Sequence, residues 1–464
     1  TAPGDITMFQ VPSFLAGRSA PGRVTPMALA LTAGLALLAI LSSSEVLAAE
    51  LKVTAGTPLK RWVEQAEPND TLRLAPGHYA TGPVIIDKPL SLVADGAGVV
   101  IDGGGSGTLL TLRSPGISLS GLTLQHWGGD LTAMDAGVHV ERTAHGASIE
   151  RCRLSGPGFG IWLDGVDDAR VLDNQIRGDT RVRSQDRGNG VQLFNARRAL
   201  VSGNDIRQVR DGVYIDTSSD SVIDSNLLED LRYGVHYMYA HDNSVTNNLT
   251  RHTRTGYALM QSRGLTVRAN RSIEDRNYGI LMNNITDSRI IDNDIIGVRQ
   301  ARDAHDRGLV SGGDGKAIFV YNAQFNVIRG NRLEDSDIGL HLTAGSEDNR
   351  ISGNALIHNR RQVKYVATRQ QEWSEHGRGN YWSDYLGWDL DEDGIGDTRY
   401  QPNDAMDQLL WRHPEAKVLM ASPAVLALRW VQRVFPVFRP AGVSDSAPLM
   451  TPSRPRSATR TSYP

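Results

Sequence analysis

The sequence predicts an all-β fold: a right-handed parallel β-helix of about 22 residues per coil, with an N-terminal helical cap and a C-terminal helical tail. Three observations predict it. Short apolar runs such as "GVYIDTS" open on a small residue at Gly160, Gly190, Gly212, Gly234, Gly256, Gly279, Ala317 and Gly339, and the steps from 190 to 212, 234 and 256 are each 22. A second marker, Asn204, Asn226, Asn248, Asn270, Asn293, Asn331 and Asn354, keeps the same step. The 47 glycines and 6% aromatics suit a turn-rich chain. Apolar alternation at this period, with no 3.6-residue spacing, indicates a solenoid.

In such a fold each coil hydrogen-bonds to the coils above and below, spaced about 4.8 Å apart. Asparagine at a fixed turn is expected to tolerate the left-handed backbone and to bond through its amide to the asparagine one coil away. Cys152, the single cysteine, lies 22 residues before Asn174 and so occupies the same column. A lone exported thiol is also a candidate copper ligand, but burial there as a small hydrophobe is the expected role.

Taken in order, residues 1–48 carry the features of an export signal. Arg18 and Arg23 precede the apolar run "MALALTAGLALLAIL", and "SSSEVLAAE" follows with small residues for cleavage near Ala49. The alternative is an uncleaved anchor, but fifteen apolar residues are short of the roughly 20 that span a bilayer. No twin arginine precedes the run, which predicts export unfolded, with metal acquired afterwards. The β-helix is expected over 49–385. It is opened by a helix in "TPLKRWVEQAEPND", where Thr57 can cap, Pro58 sits at the first helical position, and Trp62 and Val63 face the core. Such a helix covers the open strand edge. Two coils carry polar insertions, around "DTRVRSQDR" and "VRQARDAHDRGLVSGGD", expected to project as loops.

Alternation assigns the faces. Val235 and Tyr237 belong with Val191/Leu193, Val213/Ile215 and Ile318/Val320 in the core. The outward columns then read Gln192, Tyr214, His236, Ala258 and Phe194, Asp216, Met238, Met260. Thioether and neutral imidazole are ligands for a soft ion such as Cu(I), so His236, Met238 and Met260 are candidate copper ligands. The competing reading is an apolar patch covered by a partner or a loop. His241 with Asp242, and His252, are weaker turn candidates.

Residues 386–400 hold "DLDEDGIGD". Asp389, Asp391, Asp393 and Asp397, with the carbonyl of Ile395 and a turn glycine at 394, follow the spacing of a calcium loop. Tyr400 stands where a complete EF-hand has Glu, and a solvated acidic turn is the alternative. Residues 401–450 carry helix-length periodicity, with Trp411 near its start and Leu426, Trp430 and Val434 on one face. Partner docking and capping of the solenoid fit it equally. The basic, Pro/Ser-rich 451–464 reads as disordered. A net charge of −3, from 49 basic and 52 acidic residues, argues against nucleic acid or an anionic membrane surface as the main partner.

The signal-like start, the solenoid, "GNYWSDYLGWDLDEDGIGDTRY" and the tail "LLWRHPEAKVLMASPAVLALRWVQRVFPVFRP" followed by "GVSDSAPLM" together resemble the NosD family over roughly residues 50–450. The resemblance implies a periplasmic, non-enzymatic accessory of an ABC transporter in the maturation of nitrous oxide reductase. It implies as partners the permease and its ATPase, a copper chaperone lipoprotein and the reductase, with membrane contact only through the permease. It supplies no ligand set, so the copper patch rests on the residues alone. The alternative function is an exported polysaccharide epimerase, lyase or hydrolase. Glu141, Asp164 and Asp216 share an outward column, but they are expected on widely spaced coils with Arg and Lys sparse beside them, so no compact acid/base constellation emerges.

Overall fold

The computed structural model describes residues 48–300, 313–343, 345–366, 369–403 and 442–452, with isolated positions between 422 and 431. The export-signal residues 1–47, and Trp411, Leu426 and Val434, lie outside the described residues. Trp430 is described and is 59% exposed.

Among the described residues the coils build three parallel sheets of 13, 13 and 12 strands, a complete coil giving one strand to each. A central coil shows the pattern. Val222–Asp224 lies in the first sheet, Leu227–Glu229 in the second and Tyr233–Met238 in the third. The next coil repeats it with Ser244–Thr246, Leu249–Arg251 and Thr255–Arg263. Every pairing between these coils is parallel. Alternation sorts the side chains as expected: Val213, Ile215, Val235, Tyr237, Tyr257 and Leu259 are fully buried.

The recurrent glycine is demanded by coil-to-coil approach. A Cβ on Gly234 would stand 2.5 Å from the Thr250 Cγ2 and 2.6 Å from the Gly256 carbonyl oxygen. On this coil no side chain fits where the chain turns into the third sheet, although one coil carries alanine, Ala317, at the same place in the column.

The asparagine column forms a continuous buried ladder. Asn226 donates its backbone N–H and its Nδ2 to Asn248 Oδ1, both at 2.9 Å, and Asn248 does the same to Asn270 Oδ1 at 3.0 Å. Each amide also donates to a carbonyl one coil back, as Asn248 does to Ile223 at 2.9 Å. Cys152 begins the ladder, its N–H donating to Asn174 Oδ1, and is buried; that burial pushes its thiol up to about 11. One expectation is corrected. The left-handed residue is the one before each ladder asparagine: Asp173, Gly203, Ser225, Asn247, Ala269, Asp292, Gly330 and Gly353 all have φ between +54° and +70°. The ladder asparagine is kept for its amide, and the turn is carried by its predecessor.

The cap helix spans Leu59–Gln65, with Leu59 and Val63 buried. Here too the structure corrects the expectation: Pro58 occupies the N-cap itself, and no side chain caps the helix, Thr57 included. At the other end, Val443–Ser444 pairs with Gln371–Glu372. The fully buried Asp445 closes the ladder: its Oδ2 accepts from the Asn380 backbone N–H and Trp382 Nε1, each at 2.7 Å, while Asn380 Oδ1 receives Asn354. The first insertion folds back as a 3-10 turn at Ser184–Asp186, tied down by Arg187, which donates to the Gln208 carbonyl oxygen. Residues 301–312 of the second lie outside the described residues.

Candidate metal centre

The third sheet presents its outward residues in strict register. Gln192, Tyr214, His236 and Ala258 stand side by side, as do Phe194, Asp216, Met238 and Met260. Met238 and Met260 are therefore next-door neighbours on adjacent coils, both half-buried on the outer wall, with Asn283 following in the column.

His236 faces outward yet is only 8% exposed. The rings of Tyr214 and Tyr233 meet it edge-on at 4.6 and 4.7 Å. Its Nδ1 lies 3.0 Å from Asp211 Oδ2, and Arg232 clamps the same carboxylate through two bonds of 2.6 and 2.8 Å. Burial alone would raise the pKa of Asp211, but the hydrogen bonds from Arg232 and His236 outweigh it and hold the carboxylate below its ordinary range. An ionised Asp211 accepts from Nδ1 and so leaves Nε2 as the nitrogen turned away from the carboxylate, the arrangement seen when a carboxylate orients a metal-binding histidine. Tyr214, its hydroxyl 3.4 Å from Asp216 Oδ2, is pushed up to about 12 by burial and by that neighbouring charge, so it stays neutral beside His236.

An imidazole on this wall and two thioethers on neighbouring coils would offer a soft, low-charge donor set, better suited to Cu(I) than to a hard divalent ion. Sequence reasoning found these ligand candidates but missed Asp211 and Arg232. The available signal was the step of 22 residues linking Arg210, Arg232, Arg254 and Arg276.

The weaker turn histidines are otherwise engaged. His241 Nδ1 accepts the Arg263 N–H at 3.3 Å, and His252 lies 3.3 Å from Glu274 and 3.8 Å from Glu229. In the acidic loop, carboxylate oxygens of Asp389, Asp391 and Asp393 come within 4.8 Å of one another. The charge of Asp393 raises the Asp391 carboxyl. Asp397 stands apart from that group, accepting the Leu390 N–H at 2.8 Å, and Gly394 makes the sharp turn with φ +84°. The Ile395 N–H donates to Asp393 Oδ1.

The sequence places Glu141, Asp164 and Asp216 on widely spaced coils with few Arg or Lys beside them, and the structure corrects this: Glu141 and Asp164 are on adjacent coils, following the aligned pair Val140 and Leu163, and Arg113 already binds Glu141 at 2.9 Å. Asp216 is two coils further along the column, past Phe194.

Fold and site together define a parallel β-helix protein that carries its chemistry-bearing side chains on an outer wall. A family model described as "Periplasmic copper-binding protein (NosD)" matches residues 172–387. A protein of Pseudomonas aeruginosa named "Probable ABC transporter binding protein NosD" is 58% identical, over 85% of this chain and 90% of its own. One of the same name from Stutzerimonas stutzeri is 55% identical, over 83% and 88%. Among solved structures, the Dettilon tailspike protein matches with a TM-score of 0.55 at 15% identity, covering 68% of each chain, a likeness of fold alone. The chain belongs to the NosD family.

Proposed function

We propose that this protein holds Cu(I) transiently on the outer wall of its solenoid, in the periplasm, and passes it between partners of an ABC transporter system that supplies the copper sites of nitrous oxide reductase. The observation that carries the reading is His236, oriented by Asp211, beside the in-register pair Met238 and Met260. The description of the family model, which speaks of copper binding, and the names of the relatives, which speak of an ABC transporter, support the same class. The role is one of binding and delivery: a cuprous ion must be held and released, and thioethers on an open wall bind without the charge of a thiolate. Competition for Cu(I) against a chelator of known affinity tests it. The wild type is expected to take up one ion per chain, and no uptake would overturn the reading.

We propose further that the loop at Asp389, Asp391 and Asp393 holds a structural Ca²⁺, which would relieve the repulsion that raises Asp391. Millimolar calcium is then expected to raise Tm by about 2–5 °C. An Asp389→Asn/Asp393→Asn variant should show no such rise. Identical melting of the wild type with calcium and with a chelator would refute the assignment.

A further inference from the structure

Beside the copper-site candidates, at the corner where the second sheet turns into the third, lies a groove of about 370 Å³. The Ser184/Gln185 turn of the first insertion forms one wall, and Arg232, Arg254 and Arg276 form the other. These arginines continue a ladder from Arg210 with steps of 22 residues, so each guanidinium is offset from the next by one coil, about 4.8 Å.

Their partners differ along the ladder. Arg210 donates to Asn189 Oδ1 and Arg232 is committed to Asp211. Arg254 and Arg276 are exposed, and among the described residues neither has a carboxylate within ion-pair distance. Of the acids nearby, Glu229 is engaged by Arg207 at 2.9 Å, Glu274 by His252, and Asp230 sits on the rim. On the side facing the third sheet the ladder runs into Tyr233 and Tyr278, both half-buried, and Arg232 stacks 4.6 Å from the Tyr233 ring centre.

We infer that this corner is a docking groove for a carboxylate-rich segment of a protein partner, lying along the solenoid axis with its acids on Arg254 and Arg276. Guanidinium groups bind carboxylates in a bidentate fork, and the missing acids on this chain are what such a partner would supply. Arginine and tyrosine in one patch are the composition of protein-interface anchors, which favours a protein over a free anion. The position, one side chain removed from Asp211 and His236, would bring the partner to the copper-site candidates. The inference rests on the partner-binding reading above but needs no metal.

A metal-free test separates the two. Fluorescein-labelled hexaglutamate should bind the mature protein at low salt and weaken as salt rises. Arg254→Glu/Arg276→Glu should lower its affinity more than tenfold. Arg153→Glu/Arg170→Glu, the same charge change at two exposed arginines on other coils, should leave affinity within twofold. Equal losses in both variants, no binding by wild type, or tighter binding of a hexagalacturonate than of hexaglutamate would each overturn the proposal. All four residues are exposed, so folding should survive, and circular dichroism checks it.

Discussion

Replacing Met238 and Met260 together by alanine is expected to abolish measurable competition for Cu(I), a loss larger than the roughly 10–100-fold that removal of an outer partner costs a metal site. Both thioethers stand on one outer column on successive coils, so neither can be replaced by a neighbour: Asp216 and Asn283, on either side, offer hard oxygen donors. Each methionine is half-buried on the wall, outside the core, so truncation should cost about 1 kcal/mol of stability per site and leave the fold intact. Asp211→Asn is the companion variant. It retains the shape but leaves Arg232 without its counter-charge and the imidazole without its carboxylate partner, and affinity should fall by roughly tenfold. If the double variant competes for Cu(I) as well as wild type, the patch is not the site.

The largest structural effect is expected at the asparagine ladder. Asn248→Ala removes the acceptor of the Asn226 backbone N–H and Nδ2 and the donor to the Ile223 carbonyl, all fully buried. At about 1–3 kcal/mol for each buried group left without a partner, the loss should reach about 3–5 kcal/mol even after partial relaxation. The neighbouring Asn247 is the control: it is exposed, has φ +56°, and donates to Asp224 at 2.8 Å. Its replacement by alanine should cost only about 1–2 kcal/mol, mostly from backbone strain. Urea unfolding separates them by midpoint. A solenoid transmits damage only to neighbouring coils, so the first opening in hydrogen exchange should centre on residues 223–273. Equal midpoints for the two alanine variants would contradict the ladder account.

Much of this was legible in the sequence because the solenoid writes its contacts as a period. The glycine column, the ladder asparagines and the outward assignment of His236, Met238 and Met260 all follow from a step of 22 residues and simple alternation. What was not legible depends on corners and distant returns. Asp211 stands just before its strand's glycine, and only the turn geometry swings its carboxylate under His236 and Arg232. Asp445 meets Asn380 across 65 residues, with no period to announce it. The left-handed turn position was misassigned by one residue, because Asp, Gly, Ser, Asn and Ala all fill it and leave no single-residue signature.

X-ray absorption at the copper edge of the Cu(I)-loaded protein tests the central claim most directly. The account predicts a shell with two sulfur atoms and one imidazole nitrogen, the sulfur component vanishing in Met238→Ala/Met260→Ala. Cys152, buried with its thiol held near 11, should contribute none of it. A spectrum of nitrogen and oxygen scatterers alone, or a sulfur shell that survives the double substitution, would contradict it.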